Sequence, residues 1–199
     1  MYKSIKSSLF SKIVIILTMY FVNLNAGAIE IKKEYSSDGS LKKEISYQDG
    51  IKNGVEKQYF PEGTLWKETH YKNGKKDGIE KQYNFKGKLI FETPYKNNTI
   101  DGIQKEYYET GKINSETPYK NGTKNGIFRG YYENGQLGLE TPYENGQWQG
   151  EEKHYDKNGH IQAILPFKNS KLNGIQKQFN PDGSIYKKTL YKDDIEIKE

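Results

Sequence analysis

Glutamates recur in this chain at a constant interval: Glu44, Glu68, Glu92, Glu116 and Glu140 each lie 24 residues from the next. A pair of carboxylates is the equipment of a glycoside hydrolase, one acting as acid and the other as base or nucleophile. That chemistry needs two environments that push the two pKa values apart. Residues made equivalent by repetition share one environment, and strand spacing sets them roughly 10 Å apart per repeat. The column therefore reads as a solvated, salt-bridged face. The only histidines, His70, His154 and His160, occupy different slots of the repeat and include no His-x-x-x-His pair, so they read as surface residues rather than metal ligands. There is no cysteine, hence no thiolate nucleophile and no cysteine metal site. No nucleophile–base set, phosphate loop or dinucleotide fingerprint is present. No catalytic, metal-ligating or cofactor-binding residue is assigned, and the chain reads as a non-enzyme without a cofactor.

Residues suited to binding are easier to find. A basic column, Lys33, Lys57, Lys81, Lys105, Arg129, Lys153 and Lys177, falls at one slot of the repeat, on the same face as a column of tyrosines. A cation flanked by aromatic rings can meet an anionic polymer, a lipid headgroup or an acidic protein. Equally, lysine stems can cover the rings while their ammonium groups reach water. Trp66 and Trp148 lie in non-equivalent slots, and Tyr108 and Tyr132 each follow a first-strand tyrosine. Aromatics of this kind on a rigid sheet can anchor a sugar or a protein, although single exposed aromatics are also ordinary. The candidate partner-binding set is thus Trp66, Tyr108, Tyr132, Trp148, Lys57, Lys81, Lys105 and Arg129. A protein partner ranks first, and an envelope glycan or anionic lipid is the alternative.

The elements that must position these residues follow from the period of 24. One aromatic column comprises Tyr35, Tyr59, Tyr83, Tyr107, Tyr131, Tyr155 and Phe179; a second comprises Tyr47, Tyr71, Tyr95, Tyr119, Tyr143, Phe167 and Tyr191. Gly39, Gly63, Gly87, Gly111, Gly135, Gly159 and Gly183 keep step. Such repetition describes a stack of one small unit, not a globule around one core. In residues 54–77 two strand-like runs, 55–60 and 64–71, each end in a turn signal. Pro61-Glu62-Gly63 specifies a type I turn followed by a glycine bulge, and Lys72-Asn73-Gly74 specifies a tight hairpin. Asp77-Gly78, Asp101-Gly102 and Asn125-Gly126 predict a bulge or bend before the next strand. Leu65, Lys67, Thr69 and Tyr71 alternate with Trp66, Glu68 and His70, so the period is two, that of a strand. Pro94, Pro118, Pro142 and Pro166 share one slot and mark where a strand ends. The predicted fold is all-β: an elongated antiparallel meander of about seven hairpins, roughly 65 Å long and twisted, with one aromatic-rich face.

These residues resemble MORN-type repeats, in the bacterial variant with units of about 24 residues. The pattern is clearest at Gly102–Gly126, with Tyr107-Tyr108-Glu109-Thr110-Gly111-Lys112-Ile113 followed by Glu116-Thr117-Pro118-Tyr119-Lys120-Asn121-Gly122. The resemblance covers about 34–194. Chains built only from this variant are similar to the YwqK-type family, which implies an antitoxin of a toxin–antitoxin pair and no catalytic residue. An exported member would act as an immunity protein does, on a toxin outside the cytoplasm. The pattern departs at Asn98, Ser170 and Asp194, which replace the turn glycine, at Glu151, which replaces an apolar residue, and at Ile164 and Lys188, which break the glutamate column.

Residues 1–28 stand apart from the repeat domain, 29–199. Lys3, Lys6 and Lys12 precede a nearly apolar run from Ile13 to Val22, and Ala26-Gly27-Ala28 offers a small-residue cleavage site. This is the layout of a secretory signal peptide, too short in its apolar part to span a bilayer as a helix. Setting aside those three lysines leaves 28 basic against 26 acidic residues, a net charge of +2 rather than +5. That balance speaks against nucleic acid, which calls for a clustered basic stripe. The chain is thus expected to be exported, periplasmic or extracellular, in a bacterium, with no transmembrane segment once processed. N-terminal sequencing of the exported protein should begin at Ile29; an intact Met1 on exported material would overturn the cleavage.

Overall fold

The computed structural model describes residues 16–17 and 27–198, and it contains strands and turns without a helix among them. Apart from Ile16 and Leu17, the apolar run lies outside the described residues, and with it most of the proposed export signal. Seven two-stranded hairpins follow one another: Ile29–Tyr35 with Leu41–Gln48, Ile51–Tyr59 with Leu65–Lys72, Gly78–Tyr83 with Leu89–Lys96, Gly102–Tyr107 with Ile113–Lys120, Gly126–Tyr131 with Leu137–Glu144, Gly150–Tyr155 with Ile161–Lys168, and Gly174–Phe179 with Ile185–Lys192. Each hairpin pairs antiparallel with the next, so one meandering sheet runs through all of them in chain order. Ile16–Leu17 pairs with the first long strand and Ile195–Ile197 with the last. Among the described residues substantial contacts join only neighbouring elements, and none of them forms a second layer over either face.

The turn chemistry explains the regularity. At the first turn of each hairpin the Phe60 N–H donates to the Thr64 carbonyl at 2.8 Å and the Gly63 N–H to the Phe60 carbonyl at 2.9 Å. Gly63 sits at φ 85°, the left-handed position that ends a type I turn with a bulge. At the second turn Asn73 and Gly74 have φ 50° and 78°, the primed turn whose twist suits a tight hairpin. The Gly74 N–H then donates to the Lys52 carbonyl at 2.8 Å, one repeat back. The same bond recurs from Asn98 to Lys76, from Gly122 to Ile100, from Gly146 to Lys124, from Ser170 to Trp148 and from Asp194 to Leu172. The hairpin tips are therefore laced into a column of their own.

Three expectations change on inspection of this geometry. Asn98, Ser170 and Asp194 do not weaken the turn. They keep the left-handed conformation at φ 69°, 62° and 71°, and their side chains accept bonds from the backbone N–H groups of Lys76, Trp148 and Leu172 in the preceding repeat, which glycine cannot do. Pro94 does not end its strand, which continues to Lys96. On one side Pro94 pairs with Ile79; on the other its missing N–H coincides with the bulge at Asp101-Gly102, where the Asp101 N–H donates to the Pro94 carbonyl at 3.1 Å. Gly102 lies at φ 124°, and a Cβ there would come 3.0 Å from the Pro94 ring, so the proline packs on the bulge that replaces its lost bond. Finally, the aromatic columns do not share a face. Tyr59 lies with Lys57 and Glu68, whereas Tyr71 lies with Glu56 and Thr69.

The more enclosed face carries a row of side chains perpendicular to the strands, and it holds most of the buried residues. Ile45, Glu56, Thr69, Glu80, Thr93, Thr117, Thr141 and Glu152 all lie in it, and Ile45 is the only hydrophobic side chain buried outright among the described residues. Two charged residues in this row are held by lysines from the same repeat: Lys52 Nζ is 2.6 Å from Glu56 and Lys76 Nζ is 2.6 Å from Glu80, with the Thr69 hydroxyl donating to Glu80 at 3.0 Å. Where the lysine slot holds Ile100 or Leu172, the glutamate slot holds Gln104 or Gln176. The same lysines lie over tyrosine rings, Lys52 at 4.9 Å from the Tyr71 centroid and Lys76 at 4.5 Å from that of Tyr95.

Burial by itself raises the Glu56 and Glu80 carboxyls. The bonds from Lys52 and Gln58, and from Lys76 and Thr69, outweigh it, so both titrate below the ordinary value of 4.5. A carboxyl lowered on folding adds stability that is fully present above its unfolded pKa and is lost as pH falls through the folded one. The urea midpoint should therefore hold steady from neutral pH down to about pH 5 and drop below about 4.5. In Glu80→Gln the neutral-pH stability should fall by roughly 1–3 kcal/mol and the acid slope should become shallower. An unchanged acid slope in that variant would contradict the assignment.

Candidate functional site

The four basic candidates occupy the second, more open face. Lys57 stands opposite Glu44 on one side and Glu68 on the other, Lys81 between Glu68 and Glu92, Lys105 between Glu92 and Glu116, and Arg129 between Glu116 and Glu140. The row is an alternating ladder of cations and anions. Lys33 reaches Glu44 at 2.8 Å, Arg129 Nε reaches Glu140 at 3.3 Å and Lys81 reaches Glu92 at 3.8 Å. The first-strand tyrosines donate into the same ladder: Tyr59 to Glu44 and Tyr107 to Glu92 at 2.7 Å, Tyr131 to Glu116 at 2.9 Å and Tyr155 to Glu140 at 3.0 Å. Burial and the neighbouring carboxylate push Tyr59 and Tyr107 up to about 12, and they hold Tyr131 and Tyr155 above the ordinary phenol value as well. Each cation thus has glutamates as its cross-strand neighbours, and the lysines that cover rings are others, among them Lys52 over Tyr71, Lys76 over Tyr95, Lys124 over Tyr143 and Lys67 over Trp66.

The aromatic candidates scatter. Trp66 is on the ladder face, 39% exposed, with the Phe60 ring 6.2 Å away. Trp148 belongs to the opposite face and fills a lysine slot between the rings of Tyr143 and Phe167, at 6.5 and 4.9 Å. His70 faces the Ile79 carbonyl at 2.8 Å, His154 faces Glu152 at 2.7 Å and His160 faces Asp156 at 3.2 Å. No group of three or more acids and histidines fit to hold a metal occurs among the described residues.

Of the eight, Tyr108 and Tyr132 meet at a concavity. A groove of about 500 Å³ opens on the threonine face across the third, fourth and fifth hairpins, lined by Phe91, Tyr108, Phe128, Tyr132 and Leu139 together with Gln104, Glu106, Asn114, Ser115, Thr117, Gly130, Tyr131 and Gly138. Its origin is a row of side chains whose members change from repeat to repeat. That row reads Lys67, Gln82, Phe91, Glu106, Ser115, Gly130, Leu139 and His154 from strand to strand. Long polar side chains at one end give way in the middle to Ser115 and Gly130, which leave the floor open. Phe128 takes the slot held elsewhere by a buried glutamate, so one wall is apolar.

The two tyrosines are pinned. The Tyr108 hydroxyl donates to the Tyr131 carbonyl at 2.6 Å and the Tyr132 hydroxyl to the Tyr155 carbonyl at 2.8 Å, each tying one repeat to the next. Neither Gly130 nor Gly138 has a left-handed φ, so space rather than backbone freedom accounts for both. A Cβ at Gly138 would lie 3.0–3.3 Å from the Tyr132 ring, which therefore rests directly on the backbone. At Gly130 the nearest atoms, on Phe128 and Leu139, would be 3.5 Å or more away, so a side chain there would extend into open groove. The arrangement is a preformed pocket of about the size and mixed polarity that ligand and peptide sites show.

The sequence reading assigned neither the groove nor Phe91, Glu106, Phe128 and Leu139. The available signal was the set of positions at which the repeat departs from itself, above all Phe128, Gly130 and Gly138. Gly138→Ala should displace the Tyr132 ring, break its bond to Tyr155 and cost about 1–3 kcal/mol. Gly130→Ala should leave the urea midpoint nearly unchanged. Equal losses from the two variants would refute the difference in their surroundings.

Seven consecutive segments, 31–49, 52–73, 76–97, 100–121, 124–147, 148–169 and 172–193, match the pattern described as MORN repeat variant. No curated protein matches the chain. The matched segments follow the hairpins of the sheet one for one and take in most of the 199 residues, and the chain therefore belongs to the MORN repeat variant family.

Proposed function

We propose that this repeat scaffold is an exported, non-enzymatic binding protein whose partner is another protein, held in the groove of the central hairpins. The observation that carries this is the groove itself: a preformed hollow with pinned tyrosines, apolar walls and polar side chains between them, on a sheet without a second layer among the described residues. Rigid aromatic anchors around a partly polar floor are what protein interfaces concentrate at their centres. The role is consistent with the antitoxin or immunity function that the YwqK-type resemblance implies, in which the partner would be a toxin met outside the cytoplasm. Export rests on the sequence of residues 1–28.

Compensation along the ladder weighs against a polyanion as the principal ligand, because Lys57, Lys81, Lys105 and Arg129 each have glutamates on both sides. The second reading, an envelope-associated module for anionic lipid or glycan, draws on the last hairpin. There the ladder loses its acids: Lys177 stands opposite Ile164 and Lys188, beside exposed Ile175 and Leu190.

A tagged exported chain incubated with its own cell envelope should retain one protein in stoichiometric amount, identified by mass spectrometry. Gly130→Trp, which fills the groove, should lose it while keeping the same thermal midpoint. Equal retention by both chains would overturn the groove as the binding site. Sedimentation with phosphatidylglycerol vesicles, with no protein retained, would favour the second reading.

A further inference from the structure

Glu106 is the one acidic side chain in the lining of the groove, which includes no lysine or arginine, and it forms no ion pair among the described residues. Its Oε2 accepts a bond from the Ser115 hydroxyl at 3.1 Å, and its cross-strand neighbours are Phe91 and Ser115. Three repeats earlier the equivalent pair is Glu34 and Lys43, whose charged atoms lie 3.9 Å apart. The two repeats between hold neutral Gln58 and Gln82 at the glutamate's slot, paired with Lys67 and Phe91, so at Glu106 a carboxylate stands where the opposing slot holds serine and not lysine. The buried glutamates Glu56 and Glu80 in the adjoining row retain their own lysines, so a free carboxylate is not a general feature of this face.

We infer that the groove receives a basic side chain, arginine or lysine, from a protein partner, with Glu106 as its counter-ion and the rings of Phe91, Tyr108 and Phe128 around its stem. This rests on the reading of the groove as a protein-binding site and specifies the chemistry of the segment that enters it. Three features support it. The charge is complementary: an unpaired anion in a hollow without a cation of its own attracts one, and a charge-assisted bond is about twice as strong as a neutral one. The walls are complementary as well, since a guanidinium stacks on aromatic faces and an alkyl stem packs against them. The floor is preorganised: Ser115 fixes one carboxylate oxygen, and Tyr108 is already tied to the Tyr131 carbonyl, so little side-chain freedom is lost on binding.

The test is an amide NMR titration of the full chain with acetyl-Gly-Arg-Gly-amide and with its citrulline analogue, which has nearly the shape of arginine and no charge. Saturable shifts are expected at Ser115, Gly130 and Gly138. Binding should be at least tenfold weaker for citrulline, and Glu106→Gln, which still accepts the Ser115 bond, should bring arginine down to the citrulline level. Gly130→Trp should abolish both. Equal affinity for the two peptides, an unchanged affinity in Glu106→Gln, shifts confined to the ladder at Glu68 and Glu92, or no saturable shift at all would each overturn the inference. The pull-down fails separately: if the native chain retains no protein, the reading of the groove as a protein site falls. If it retains one that Glu106→Gln retains equally, only the role of Glu106 falls.

Discussion

The described structure depends on hydrogen bonding between strands that have no second layer of described residues behind them. A sheet in most domains is stabilised by pressing one face against a second layer. Among the described residues there is no second layer here, and one hydrophobic residue, Ile45, is buried outright. What apolar burial there is comes from side chains lying against their neighbours in rows that cross the strands. Cross-strand pairs, each worth a few tenths of a kcal/mol to about 1 kcal/mol, are the unit of stabilisation in such a sheet. Repetition multiplies them, because each row is renewed in every hairpin, and the bonds between successive hairpin tips keep the register from slipping.

That constraint accounts for the difference between the two faces. The open face is a ladder of alternating cations and anions into which the tyrosine hydroxyls donate, an arrangement that remains satisfied in water. The enclosed face has less access to water, so its polar groups must satisfy one another. Lys52 with Glu56 and Lys76 with Glu80 do so; Gln104 stands where the lysine slot holds isoleucine and bonds the Thr93 hydroxyl at 3.0 Å. Glu152, whose lysine slot is filled by Trp148, turns instead to Thr141 and His154. No buried side-chain nitrogen or oxygen is left without a hydrogen-bond partner among the described residues. Substitutions in the repeat thus come in sets, since a buried charge is tolerated only with its partner.

The repeat was legible because its turns have strict backbone requirements. Asn73-Gly74 and Pro61-Glu62-Gly63 name their turn types, and alternation between them names the strands, so the meander and its two-residue period follow directly. The proline slot was harder to read. A proline breaks a regular ladder, and nothing local in Thr93-Pro94-Tyr95 shows that the partner strand bulges at that point and has no bond to offer it. The split of the aromatic columns between faces was hidden for a related reason: the bulge after Gln58 shifts the register between Tyr59 and Leu65, and parity counted along one strand does not carry across it. Of the eight candidate binding residues, Tyr108 and Tyr132 alone line the groove, because period and exposure identify which aromatics are unusual and not which of them converge.

Sequence alone determined that this chain is a stack of 24-residue hairpins, since each turn is specified within four or five residues and each strand by its own alternation. Tertiary structure decided what those hairpins present on their surface. Glu106, Ser115, Gly130 and Leu139 lie up to 33 positions apart in the chain and come together only because the register of three successive strand pairs aligns them in one row. A hollow is a property of what neighbouring strands omit at the same level, and that level is fixed by hydrogen bonds between strands, not by the order of residues within one.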